Sequence, residues 1–292
     1  MRSLRIVVLV MLLAGSSLLM PAHGAAKPPA GPVEITNTET GIKLSNEAAA
    51  RQSSRRQVKA GDLRVWRLGP GDYLIGDEWP QHFKSDVVTD ASGMTTVSMS
   101  YDVGSRQSAY TSRIATNGGS VQAAWSYISG GCFTRLQNLF GWLDSCYQVH
   151  KLTNEGDPRD FYKLEQYGSE GAKILGKIYS GSLGAVKASS SSAMSWIDWS
   201  PRSTVSGSCQ TVPLSVSALG VSFSASGLMC ERWNMYKYAD AGRYKQEWSC
   251  GCAPTFGQPY PNVREIDYLQ VISVLNGKSA IWTLSASYQA MP

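Results

Sequence analysis

The feature that most constrains the fold is an alternation of apolar and small polar residues with a period of two. It is clearest between Cys209 and Cys230, where no residue is charged and apolar residues alternate with serines on both sides of Leu219-Gly220. Because successive side chains of a strand point to opposite faces, this pattern predicts a β-hairpin with one apolar and one polar face. Residues 97–103 alternate in the same way and predict another half-buried strand.

Short alternating segments, separated by turns rich in Gly and Ser, recur through residues 61–292. They predict a single all-β domain: an antiparallel β-sandwich, or a barrel-like sheet, with disulfide staples and little helix. Asn276-Gly277 predicts a further hairpin, in which Val271 would pair with Trp282. Apolar residues occupy both faces of that hairpin, so it is expected to be central and covered on both sides.

The first 24 residues have the pattern of a secretory signal peptide. Arg2 and Arg5 precede an apolar run, 6–20, that is shorter than the about 20 residues of a membrane-spanning helix. Ala22-His23-Gly24 then supplies the small residues of a cleavage site. We therefore expect cleavage before Ala25, a secreted extracellular chain, and no stable membrane span in the mature protein.

Residues 25–60, rich in Pro, Ser and Arg, predict a flexible arm or linker, or a pro-segment processed near Arg55-Arg56. Removing the leader with its two arginines lowers the formal net charge from +5 to +3. So small an excess does not fit a protein that binds nucleic acid through its overall charge, and no nucleic-acid partner is predicted.

An even number of cysteines in an exported chain predicts a disulfide framework. Cys132 and Cys146 bracket a segment that fits either a helical turn or a loop, and a bridge between them is the simplest arrangement. The connectivity of the other four stays open: Cys209, Cys230, Cys250 and Cys252. They could staple the hairpin to the strand at 244–252, or the first two could pair directly. Their spacing disfavours zinc, so neither metal nor cofactor is predicted.

No common catalytic signature occurs, since the sequence lacks His-Glu-x-x-His, Gly-x-Ser-x-Gly and the phosphate-binding glycine loop. His82 and His150 are the candidates for the base of a Ser–His–Asp triad. Asp198, between two tryptophans, is the most suggestive acid for a glycosidase pair. The sequence specifies no partner for any of these residues, so catalytic residues stay unassigned. The absence of a catalytic signature favours a protein that is not an enzyme.

The chain is rich in aromatic residues, with nine Trp and 14 Tyr. Aromatic side chains on a sheet face offer large, rigid surfaces on which sugar rings can stack. The candidate ligand-binding residues are Trp196, Asp198, Trp199, Trp233, Tyr236 and Trp248. The leading expectation is a noncatalytic binding or surface-interaction protein, with extracellular glycan or another cell-surface component as its partner.

Two alternatives stay open. A secreted polysaccharide hydrolase would need two carboxylates in one cleft. A β-pore-forming protein would use the uncharged hairpin, whose arms, 210–218 and 221–229, have nine residues each and so reach the lower limit for a membrane strand. Pro213 and the flanking cysteines oppose the second alternative and favour a hairpin of a soluble sandwich.

Overall fold

The computed structural model describes residues 34–38, 41–45, 64–69, 72–76, 81–105, 123–135, 140–172, 176–205, 210–229, 233–240, 243–250 and 264–291, and these contain strands but no helix. All strand pairs within these ranges are antiparallel, which confirms the predicted fold class. The strands are β1 (Glu34–Thr38), β2 (Gly41–Ser45), β3 (Arg64–Gly69), β4 (Asp72–Gly76), β5 (Gln81–Thr89), β6 (Thr95–Ser105), β7 (Ala124–Arg135), β8 (Gly141–Thr153), β9 (Arg159–Ala172), β10 (Lys177–Lys187), β11 (Ser195–Ser200), β12 (Gln210–Ala218), β13 (Val221–Met229), β14 (Trp233–Asp240), β15 (Arg243–Cys250), β16 (Arg264–Leu275) and β17 (Ala280–Met291).

Two large sheets form the sandwich. One has six strands in the order β14-β15-β10-β17-β6-β5, and the other has seven in the order β11-β16-β9-β8-β7-β4-β3. Tyr101 of the first sheet contacts Phe133 and Tyr147 of the second, with ring centroids 4.1 and 5.7 Å apart. The Tyr101 hydroxyl also lies 3.1 Å from Ser145 Oγ, and burial raises the pKa of Tyr101. The space between the sheets is therefore a buried core in which aromatic contacts are accompanied by internal polar contacts.

The alternation of residues 97–103 matches β6, in which Val97, Met99, Tyr101 and Val103 are buried. The serine-rich hairpin is likewise confirmed as β12–β13, with Ala218 opposite Val221. Its turn residues, Leu219 and Gly220, have φ of 49° and 79°. Two positive φ values suit the right-handed twist of a two-residue hairpin.

Asn276-Gly277 does not join a hairpin, so that prediction was wrong. The turn carries the chain from β16 in the seven-stranded sheet to β17 in the six-stranded sheet. Val271 pairs with Lys163 and Trp282 pairs with Val103, each within its own sheet. Both strands are central, as expected, but a local turn motif cannot distinguish two paired strands from two strands in facing sheets.

The bridge between Cys132 and Cys146 is confirmed, and it joins directly opposed residues of β7 and β8. The flanking Phe133 and Leu143 lie in strands rather than in a helical turn. The bridges of the other four cysteines lie outside the described side chains, as does the predicted leader. The predicted arm, 25–60, contains the paired strands β1 and β2. In the part of the chain that is described, no helix is long and apolar enough to cross a membrane.

The double variant Cys132→Ala/Cys146→Ala should fold with a lower free energy of unfolding. The bridge spans 14 residues, and losing such a loop closure costs about 2–4 kcal/mol through the unfolded chain. Denaturant unfolding of the variant checks this, with Ser222→Ala at an exposed strand position as the control. A loss below about 1 kcal/mol would contradict a stabilising bridge.

Candidate functional site

The β12–β13 hairpin lies on the outer face of the seven-stranded sheet, with its apolar side turned inward. It forms a two-stranded sheet of its own and pairs with no other described strand. The inward positions of β12 are buried; they are Leu214, Val216 and Ala218. Most serines on the other face of the hairpin are exposed, namely Ser215, Ser222, Ser224 and Ser226. The predicted division of the hairpin into an apolar and a polar face is therefore present in three dimensions.

The surface beneath the hairpin is mixed, because the buried apolar residues Leu269 and Val271 of β16 lie on it beside polar and charged side chains. Phe223 of the hairpin lies with its ring centroid 2.8 Å from Lys163 Nζ and 6.0 Å from the His150 ring. Gly227 approaches Asp267 so closely that a Cβ added there would lie 2.8 Å from the Asp267 Cβ. Residues two apart on a strand share a face, so Glu165 belongs to the same surface as Lys163.

His150, Lys163, Glu165 and Asp267 are buried, and Gln148, two residues from His150 on β8, is buried with them. Lys163 is completely buried, and Glu165 is 3% exposed. We call the polar and charged part of this surface the charged face; its members are Gln148, His150, Lys163, Glu165 and Asp267. The apolar side of the hairpin thus covers buried charges together with Leu269 and Val271.

Two side chains of β11 hold the outer edge of β12. The Ser217 backbone N–H donates to Asp198 Oδ2 at 2.8 Å, and the Ser215 N–H donates to Ser200 Oγ at 3.2 Å. Asp198 Oδ1 also accepts bonds from the Trp199 N–H at 2.9 Å and from Arg202 Nη2 at 2.8 Å. We call Asp198 and Ser200 the clasp, because they replace the backbone ladder that would otherwise join the hairpin to β11.

A bulge at Ile197 sets the direction of the two neighbouring tryptophans. Trp196 lies opposite Ile272, whereas Asp198 lies opposite Val271, so one extra residue sits between them. Positions three apart would normally face opposite ways, but the bulge turns Trp196 and Trp199 to the same face. Their ring centroids are 5.4 Å apart at an interplanar angle of 60°.

Lys237 of β14 reaches this tryptophan pair from the edge of the other sheet. Its Nζ lies 3.3 Å from the Trp199 ring centroid and 5.3 Å from that of Trp196. Burial lowers the pKa of Lys237 below its ordinary value. The Arg202 guanidinium carbon lies 5.6 Å from the Trp199 centroid. The two rings therefore hold one ammonium and have a second cation beside them.

The six predicted ligand-binding residues do not form one platform. Trp233 and Trp248 are buried in the core, at 2% and 0% exposure, because their strand positions face the opposite sheet. Tyr236 is 55% exposed, but it is adjacent to Lys237 on β14 and so points to the other face. Only Trp196 and Trp199 meet, and Asp198 points away from them into the clasp.

Sequence reasoning missed Lys237 and the charged face. Lys163 and Glu165 alternate with apolar residues in β9, and this alternation was the available signal. Nothing local indicated that another element would bury them. Lys237 lies about 40 positions from the tryptophans in sequence, and only the packing of the two sheet edges brings it to them.

The two histidines occupy different surroundings. His82 is exposed, and its Nδ1 lies 2.7 Å from Asp102 Oδ2, while Thr283 donates to Asp102 Oδ1 at 2.6 Å. The described contact of the His82 ring is therefore with a carboxylate. His150 is buried between Tyr127 and Phe223. The described residues contain no group of three metal-ligating side chains.

Comparison of the sequence with protein-family models gives no match, and comparison with curated proteins gives none either. Function must therefore be inferred from the hairpin, the charged face, the clasp and the tryptophan pair.

Asp198→Ala should loosen the hairpin, because it removes the acceptor of the Ser217 N–H. Bonds to a charged acceptor contribute about 1.5–3 kcal/mol, so amide hydrogen exchange in 210–218 should accelerate about 10–100-fold. Exchange measured by mass spectrometry checks this. Arg202→Ala is the matched control, since it breaks the ion pair and keeps the amide acceptor. Equal exchange in both variants would contradict a clasp role for Asp198.

Proposed function

We propose that this chain is an exported pore-forming protein whose hairpin, 210–229, leaves the sheet and enters a lipid bilayer. The leader-like residues 1–24 and the disulfide support the export part of this proposal. The hairpin supports the pore part. The observation that carries it is that the hairpin pairs with no other described strand, while its apolar face covers buried charges of the sheet as well as Leu269 and Val271.

The buried charges favour the departure of the docked hairpin. Removing an ionised side chain from water costs several kcal/mol, and that cost is recovered when the charge is hydrated again. The contact of Phe223 with the Lys163 ammonium opposes departure, because a desolvated cation–π contact contributes about 2 kcal/mol. When the hairpin leaves, the charged face becomes hydrated, while the apolar face of the hairpin needs a new apolar partner.

A bilayer provides that partner. Each arm of the hairpin has nine residues, the minimum for a tilted strand that crosses the hydrocarbon layer. The alternation would turn Val216 and Phe223 toward lipid and Ser215 and Ser224 toward an aqueous lumen. Copies paired edge to edge would satisfy the free backbone groups, which water cannot reach inside lipid.

The hairpin is held to the sheet by side-chain contacts rather than by a backbone ladder. The hairpin pairs with itself, and the described hydrogen bonds from its backbone to the sheet are those of the clasp and one from Trp125 Nε1 to the Val221 carbonyl at 3.4 Å. A two-stranded hairpin alone is marginally stable in water. It therefore needs a partner surface at all times, first the sheet and then lipid with neighbouring copies.

The glycan-binding and hydrolase predictions have less support. A sugar could stack on Trp199 only after Lys237 had left the ring, and two of the other predicted aromatic residues are buried. The Asp198 carboxylate is occupied by the Ser217 and Trp199 amides and by Arg202. An acid held in this way suits the clasp better than proton transfer to a substrate.

Ala225→Lys should abolish dye leakage from lipid vesicles, and Ser224→Lys should preserve it. Ala225 is in the middle of β13 on the apolar face, so its lysine would face the bilayer centre at a cost of about 2–4 kcal/mol per hairpin. The lysine at position 224 would face the lumen. The two variants have the same charge and adjacent positions, so they differ only in the face that carries the lysine.

Circular dichroism and thermal unfolding of both lysine variants establish that each is folded before leakage is measured. Leakage by the wild type and by Ser224→Lys, without leakage by Ala225→Lys, would support membrane insertion. Equal leakage by the two lysine variants would overturn it. So would a wild-type protein that releases no dye from zwitterionic or anionic vesicles.

Lys163→Met/Glu165→Leu should slow leakage, because it replaces two buried charges with apolar side chains beside Leu269 and Val271. Replacing buried opposite charges with apolar residues is often stabilising by about 1–4 kcal/mol, so release should slow about tenfold or more. The double replacement leaves the net charge unchanged. Time courses of dye release check this, with the exposed turn variant Lys278→Met as the control. Leakage as fast as that of the wild type would show that the charged face does not govern release.

A further inference from the structure

The tryptophan pair holds a cation in the free protein. The Trp199 ring lies 3.3 Å from Lys237 Nζ, and Trp196 completes the enclosure from 5.3 Å. Both rings are only partly buried, so the enclosure opens at the edge between β11 and β14. Two aromatic faces directed at one ammonium form a site for a cationic group.

Lysine is an imperfect occupant of this site. A primary ammonium is strongly hydrated, and partial burial here lowers the pKa of Lys237, which reflects the loss of that hydration. A quaternary ammonium donates no hydrogen bonds and spreads its charge over methyl groups. A quaternary ammonium therefore loses less hydration free energy on entering an aromatic enclosure, and it gains more contact with the rings.

A second cation beside the rings suits the phosphate of a zwitterion. The Arg202 guanidinium, bound at 2.8 Å to Asp198 on the hairpin side of β11, is exposed beside Trp199. Arg202 can turn one edge of its guanidinium to a phosphate, because arginine binds phosphate through several donors at once. A ligand with a quaternary ammonium next to a phosphate would contact Trp196, Trp199 and Arg202 together.

We propose that Trp196, Trp199 and Arg202 form a binding site for the phosphocholine group, with Lys237 as the internal occupant that the ligand displaces. This inference rests on the proposed function, in that it names the lipid headgroup on which the protein lands before the hairpin moves. The site shares β11 with the clasp. A phosphate that draws Arg202 away from Asp198 leaves the carboxylate less compensated and so weakens the hold on β12.

The first test is calorimetric titration of the oxidised wild-type protein with choline, with phosphocholine and with ethanolamine as the unmethylated control. We expect choline to bind more tightly than ethanolamine, and phosphocholine more tightly than choline. Trp199→Ala should weaken choline binding about tenfold or more. Arg202→Ala should weaken phosphocholine binding and leave choline binding unchanged.

Lys237→Ala distinguishes a ligand-binding site from a contact that only supports the fold. Removing a competing occupant should raise the affinity for choline about threefold or more, because the ligand no longer has to displace it. A contact that only supports the fold would give unchanged or lost binding. Lys278→Ala, at an exposed turn, is the control and should bind as the wild type does.

Leakage is measured separately, from vesicles of phosphatidylcholine and from vesicles of phosphatidylglycerol. Leakage without choline binding by the wild type or by Lys237→Ala would overturn this site and leave the pore proposal standing. Choline binding without leakage from any vesicle would support this site and overturn the pore proposal. Phosphocholine binding no tighter than choline, with equal leakage from both lipids, would exclude the headgroup as the ligand.

Discussion

The structure depends on one constraint, which is that the middle strands of the seven-stranded sheet are buried on both faces. β8, β9 and β16 each carry buried side chains at almost every position. The six-stranded sheet covers one face and completes the apolar core. Among the described strands, the β12–β13 hairpin covers the other face over Lys163, and Phe223 of the hairpin contacts this lysine directly.

The two covered faces differ in their chemistry, and this difference gives the hairpin its special position. The core face has apolar partners on both sides, and separating them would expose both to water. On the hairpin side, Lys163 and Glu165 lie beside Leu269 and Val271, so separation would hydrate buried charges as well as expose apolar surface. The hairpin also pairs with no other described strand, so its backbone ladder does not hold it to the sheet.

A single irregular strand, β11, connects the hairpin to the surface. The bulge at Ile197 directs Trp196 and Trp199 toward the edge between the sheets and leaves Asp198 and Ser200 on the hairpin side. A regular strand would place Trp196 and Trp199 on opposite faces, and no aromatic enclosure for Lys237 would form. The same bulge therefore places the tryptophan pair, which holds the Lys237 ammonium, and the clasp on opposite faces of one short strand.

Several features followed from local sequence, because they depend on neighbours in the chain. The alternation of residues 97–103 was sufficient for β6, and that of 210–229 was sufficient for the hairpin and its register, since the period of a strand and the conformation of a two-residue turn are local properties. The short loop between Cys132 and Cys146 was likewise enough to indicate their bridge. The hairpin predicted from Asn276-Gly277 was wrong, because a turn motif does not reveal whether the strands on its two sides join the same sheet.

By itself, then, the sequence determined the all-β class, the one-sided hairpin and the local disulfide. Tertiary structure alone decided that Trp233 and Trp248 belong to the core, that Asp198 holds the hairpin, and that Lys237 occupies the tryptophan pair. The physical reason is the distance along the sequence over which each effect acts. Periodicity and turn geometry act over a few residues, whereas the partner of a sheet face is chosen by the packing of strands that are distant in the chain.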